Sequence, residues 1–224
     1  MKILISRNAR EACGFSLVEV VLAIGIFLVT ILALVGLLGP TLQSVDEVEK
    51  TDEIASVVNT VNAFLQNSPE IAGTSTTSKF DLIYNSVAGN NYATVFVFSE
   101  YVDTTTEKQR LSVGFQSGET LSGGTLGLDA QIDNARFSDA AGNIFRVILT
   151  PSSVIPEEYR SAERDASTGT YVLNSALAEY LEGYFAMEVR IYAEEPGANF
   201  NADRALTEFL DVEPVFTYNT AIVR

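Results

Sequence analysis

The stretch FSLVEVVLAIGIFLVTILALVGLLG, Phe15 to Gly39, decides how the rest of the chain is read. No charged residue occurs between Val20 and Leu38, and at about 1.5 Å of rise per residue the segment reaches roughly the 30 Å of a bilayer core. It is expected to be a membrane-spanning helix. Lys2, Arg7 and Arg10 precede it, whereas Asp46, Glu47, Glu49, Asp52 and Glu53 follow it. That asymmetry places the N-terminus in the cytoplasm and the remainder outside. A secretory signal would put its small-residue cleavage site after the apolar run, but here Gly14 stands before it. The anomaly is Glu19, a carboxylate a few residues into the run, where an ionised group costs several kcal/mol unless it finds a partner.

From Thr41 the pattern becomes amphipathic, with Leu42, Val45, Val48, Ile54, Val57, Val58, Val61, Phe64 and Leu65 at spacings of three and four. The helix is therefore expected to continue beyond the membrane and to stop at Asn67-Ser68-Pro69. Its apolar stripe requires a sheet to cover it. Strands are predicted over Leu82 to Val87, Tyr92 to Ser99, Arg110 to Gln116, Ile132 to Ser138, Ile144 to Thr150, Phe185 to Tyr192 and Val215 to Val223. A hairpin turn is predicted at Asp139 to Asn143, and a short helix at Ser175 to Tyr184, capped by Asn174, with Leu177, Tyr180, Leu181 and Tyr184 on one side. The fold class is α+β, a long N-terminal helix packed on an antiparallel head.

Hydrophobic residues make up 47% of the 224, too many for a disordered chain. The net charge of −15 opposes docking to nucleic acid or to an anionic membrane surface. With one cysteine, Cys13, and no histidine, internal disulfides, Cys/His and Ser/His/Asp catalysis and the common zinc sets are excluded. The glycine-rich segment Gly118 to Gly127 lacks the Gly-Lys-Ser/Thr ending of a phosphate loop and reads as a flexible loop. No enzyme activity is expected.

The run Gly14-Phe15-Ser16-Leu17-Val18-Glu19-Val20-Val21-Leu22-Ala23-Ile24 resembles the class III signal of type IV prepilins and type II secretion pseudopilins. The resemblance covers about 50 residues, the leader and long helix. It implies a leader over 1–14, cut by a prepilin peptidase between Gly14 and Phe15, with Phe15 N-methylated and Glu19 as the assembly glutamate. It further implies a transmembrane half of the helix over 15–39, an amphipathic half over 40–67 and an extracytoplasmic head over 68–224. Such a chain sits in the inner membrane as a single-pass protein and then joins a pilus or pseudopilus with other pilin or pseudopilin subunits; the large head over 68–224 favours a minor component, because repetitive packing rewards compact heads. Where that family often carries a kinking proline this chain has Gly36, and Pro40 follows, so a kink or melted turn is expected between them. The alternative is an anchored extracytoplasmic binding module that is processed but does not polymerise.

One loop offers oxygen ligands around a turn: Glu194, Glu195, Asn199, Asn201 and Asp203. Major pseudopilins carry a calcium site in a late loop, which makes these five the calcium candidates. Their spacing matches no EF-hand, and the competing expectation is a solvated loop with no cofactor.

Overall fold

The computed structural model describes residues 16–67, 78–103, 108–116, 130–197 and 200–224. Two compact units divide at Asp52/Glu53.

In the N-terminal unit the chain is helical from Leu17, the start of α1 (Leu17–Asn67), whose assignment is unbroken through Gly36 and Pro40. The melted turn expected there does not occur. Val45 and Val48, expected on a packed stripe, are exposed.

In the second unit α1 turns from exposed to buried. Val57, Val61, Phe64 and Leu65 enter the main core, at the spacing of three and four residues that puts them on one helix face. The helix closes at Asn67, directly before Ser68-Pro69.

The predicted strand at Leu82 to Val87 is instead part of helix α2 (Lys79–Asn90). The Ser78 side chain accepts from the Asp81 N–H (3.1 Å), and Phe80, Ile83, Tyr84 and Val87 recur on one buried face. Asn91 takes the left-handed conformation (φ 66°) that ends it. A capped helical period outweighed the β-branched content that suggested a strand.

The remaining strands are β1 (Ala93–Asp103), β2 (Lys108–Gln116), β3 (Gln131–Ile132), β4 (Ala140–Pro151), β5 (Tyr184–Glu194) and β6 (Phe216–Val223). They form one six-stranded sheet in the order β3-β2-β1-β4-β5-β6, antiparallel except for the β2/β3 pair. One face of the sheet carries Val95, Val97, Val147, Leu149, Met187, Val189 and Ile191 into the core shared with α1 and α2. The other carries Phe96, Phe98, Ile144 and Ile148 into smaller clusters. Burial on both faces explains why β1 and β4 read as continuous apolar runs and not as alternation.

Three further expectations are corrected. The strand predicted at Ile132 to Ser138 shrinks to β3 and then a 3-10 helix, Asn134–Asp139, capped by Asp133. That turn swings Phe137 onto Phe96, with ring centroids 4.9 Å apart. The predicted hairpin at Asp139 to Asn143 is an irregularity inside β4. Phe98 pairs with Ile144 but Glu100 pairs with Ala140, so β4 has extra residues against β1, with Gly142 at φ 92°. The helix predicted at Ser175 to Tyr184 is a single turn, in which the Tyr180 N–H reaches Ala176 O (3.2 Å). Tyr180 is buried against Tyr84, while Leu181 is 81% exposed, an arrangement no continuous amphipathic helix would give.

Candidate functional site

The first turn of α1 is set by the Ser16 carbonyl, which accepts from the N–H groups of Glu19 (3.0 Å) and Val20 (3.2 Å). Glu19 is thus in the first turn, where a carboxylate meets the positive end of the helix dipole. Among the described residues no hydrogen bond or ion pair reaches its exposed side chain. Gly14 and Phe15, the expected cleavage pair, lie outside the described residues.

Beyond Glu19, residues Leu17–Leu38 form a 22-residue span of mean hydropathy 3.0, none of it buried. By length and composition this helix can cross a membrane, since about 33 Å of helix matches the hydrocarbon thickness. Leu17, Val21, Leu22, Phe27, Leu32 and Leu37 lie around its circumference, and all are exposed. A soluble monomer does not leave so much contiguous apolar surface in water. The Thr30 hydroxyl is satisfied inside the helix by the Ile26 carbonyl (2.8 Å), which suits an apolar surround. Among the described residues Glu19 has no such internal partner.

The oxygen-rich loop is tied to the sheet by a buried arginine. Arg146 of β4, 1% exposed, donates from Nε and Nη2 to the two Glu194 oxygens (2.8 and 3.1 Å), and to the carbonyls of Asn201 (2.6 Å) and Ala202 (2.8 Å). Arg204 also reaches Glu194 (3.4 Å). The Asn201 side chain accepts from the Asp203 N–H (3.0 Å), and Asp203 accepts from Gln116 (2.8 Å). Glu194 and the Asn201 backbone are thus held by Arg146, while the side chains of Asn201 and Asp203 accept from the Asp203 N–H and from Gln116. Glu195 takes no part in that network, and Asn199 lies outside the described residues. Among the described residues no three acidic or cysteine side chains converge to hold a metal.

Arg146 belongs to a pattern the sequence reading passed over. On the sheet face away from α1, Glu100 accepts from Arg110 (2.7 Å), Arg136 (2.7 Å) and Ser112 (2.7 Å). Glu188 pairs with Arg164 and with Arg190 (2.8 Å). Each carboxylate is shared by two arginines, as Glu194 is. Burial alone would raise the Glu100 carboxyl, but the hydrogen bonds from Arg136, Arg110 and Ser112 outweigh it and bring it down to about 2. Glu188 follows the same balance, with burial opposing and Arg164 and Arg190 prevailing to lower it. The available signal was Arg146 itself, a lone cation in the apolar run Ile144-Phe145-Arg146-Val147-Ile148, which needs a buried partner.

These groups tie the segments around the sheet to its outer face. Compared with family models, with curated proteins and with solved structures, the chain matches none of them.

Proposed function

We propose that this chain is a structural subunit, of the minor kind, of a type IV pilus or a type II secretion-like pseudopilus. A prepilin peptidase removes the leader between Gly14 and Phe15, and the new amine of Phe15 is methylated. The subunit waits in the inner membrane with its N-terminus cytoplasmic and its head outside. It then joins other pilin or pseudopilin subunits through its N-terminal helix, without enzymatic activity.

The observation that carries this reading is a carboxylate in the first turn of an apolar helix that is exposed along its whole span. A plain anchor has no use for Glu19, because lipid offers it no counter-charge. In a bundle of such helices the cationic N-terminus of a neighbour, staggered by about one turn, supplies one. The sheet-bearing unit supports the reading more weakly, as an α+β head that takes in the end of α1 is what such a subunit requires.

The test is Glu19→Ala together with Glu19→Gln. Both should be processed and inserted normally, since removing a carboxylate lowers the cost of placing the helix in lipid. Both should fail to co-fractionate with sheared fibres, or to crosslink to a partner pilin. Wild-type incorporation of both variants refutes the assembly role and leaves a plain membrane anchor.

A further inference from the structure

Among the described residues strand β6 ends the sheet, and its backbone ladder runs to β5 alone, through eight consecutive residue pairs without a register shift. Its sequence, Phe216-Thr-Tyr-Asn-Thr-Ala-Ile-Val223, contains no charge, proline or glycine. Sheet edges are normally blunted by lysine, proline, a bulge or shortness, because an open ladder pairs with other chains. The opposite edge is blunted in this way: β3 is two residues long, and Lys108 and Arg110 of β2 are exposed. Along its eight residues β6 uses none of these devices, and the ladder is irregular only just before it, where the Val215 N–H also reaches Ile191 O (2.8 Å).

The ladder also fixes which groups are free to pair. The Arg224 N–H donates to Gly183 O (3.0 Å), so by antiparallel alternation the even-numbered residues of β6 face β5. Thr217, Asn219, Ala221 and Val223 then turn their N–H and C=O groups outward. β6 itself exposes Phe216 and Val223, and the segment leading into it exposes Leu210, Val212 and Val215, whereas the other exposed large apolar residues described in the head, Tyr101, Val154 and Leu181, are scattered in sequence. Just before β6, Asp211 and Glu213 are exposed, and among the described residues neither has an ion-pair partner.

We infer that β6 is a docking edge for an extended strand of a different, basic protein chain. The strand adds antiparallel to β6, apolar at alternate positions, with basic residues at its C-terminal end opposite Asp211 and Glu213. A second copy of this chain is the poorer occupant. It brings its own Asp211 and Glu213 and a net charge of −15 to a contact already acidic. The inference stands on the sheet alone and does not depend on the role of the helix.

The full chain in detergent micelles is titrated into fluorescein-labelled peptides VTVTVTKK and VTVTVTEE, with anisotropy as the readout. Saturable binding of the lysine peptide is expected, with the glutamate peptide at least about tenfold weaker. Thr217→Pro removes an outward N–H and spares the bonds to β5, so it should weaken the lysine peptide by about tenfold or more. If circular dichroism shows that this variant misfolds, Val223→Lys carries the test with the same expected loss. No saturable binding to wild type overturns the inference, as does retained affinity in a folded variant or equal affinity for the two peptides. A wild-type dimer in sedimentation velocity that Val223→Lys dissolves would assign the edge to a second copy and overturn it too.

Discussion

Replacing Arg146 by methionine keeps most of the aliphatic volume and removes every donor. The guanidinium makes two bonds to Glu194 and two to the carbonyls of Asn201 and Ala202, and lies 4.8 Å from the Phe96 ring and 5.2 Å from that of Phe209. Removing one side of a buried pair costs about 3–5 kcal/mol because the other charge is stranded. Arg204 remains within 3.4 Å of Glu194, and the Glu194 side chain keeps 13% exposure, so the lower part of that range applies to the ion pair. Adding about 1 kcal/mol for each of the two orphaned carbonyls gives a loss of about 5 kcal/mol for Arg146→Met. The double variant Arg146→Met/Glu194→Leu removes the stranded charge as well and should lose only about 2 kcal/mol. A pairwise coupling of about 2 kcal/mol or more should therefore emerge from urea unfolding of the four members of the cycle. A loss below about 1 kcal/mol for Arg146→Met, or additivity across the cycle, would refute the claim that this arginine pins the late loop to the sheet.

Two further outcomes are expected. Glu100 is held at about 2 against an ordinary 4.5, so its stabilisation is fully present above about pH 4.5 and is lost as the pH falls through about 2. Glu100→Gln should cost about 1–2 kcal/mol at pH 7 after allowance for solvent screening, and its acid unfolding curve should converge on that of wild type near pH 2; a constant offset would contradict the assignment. A fragment beginning at Thr41 should be soluble, monomeric and folded without any disulfide, with mixed helix and strand in circular dichroism, because the core starts at Val57 and the only cysteine is Cys13; persistent aggregation would refute this.

The α+β class, the long helix to Asn67 and five of the strands were legible, the strands either from alternation or, in β1 and β4, from unbroken β-branched and aromatic runs. β5 is the clearest, with Phe185, Met187, Val189 and Ile191 all in the main core. The failures fall where a local hydrogen bond redirected the backbone. Ser78 and Asp133 cap helical turns within segments whose composition suggested strands. The Ser175 to Tyr184 stretch has helical spacing, but Tyr180 is drawn into an aromatic cluster with Tyr84, Phe185 and Tyr159. Glu19 stood out in the sequence because a charge in an apolar run is rare. Arg146 did not, because its partners lie 48 and 55 positions away, and only the sheet brings them together.

Asn62 on α1 accepts from Thr220 (2.9 Å) and Tyr218 (3.4 Å), residues 158 and 156 positions later. Closing a loop of that length costs about 4–5 kcal/mol of chain entropy before any contact returns it. The helix leaves the ribosome well before the strand that grips it. Until Thr220 is available, Val61 and Phe64 have no complete sheet to pack against. The core around this end of α1 is therefore completed only once β6 has been synthesised.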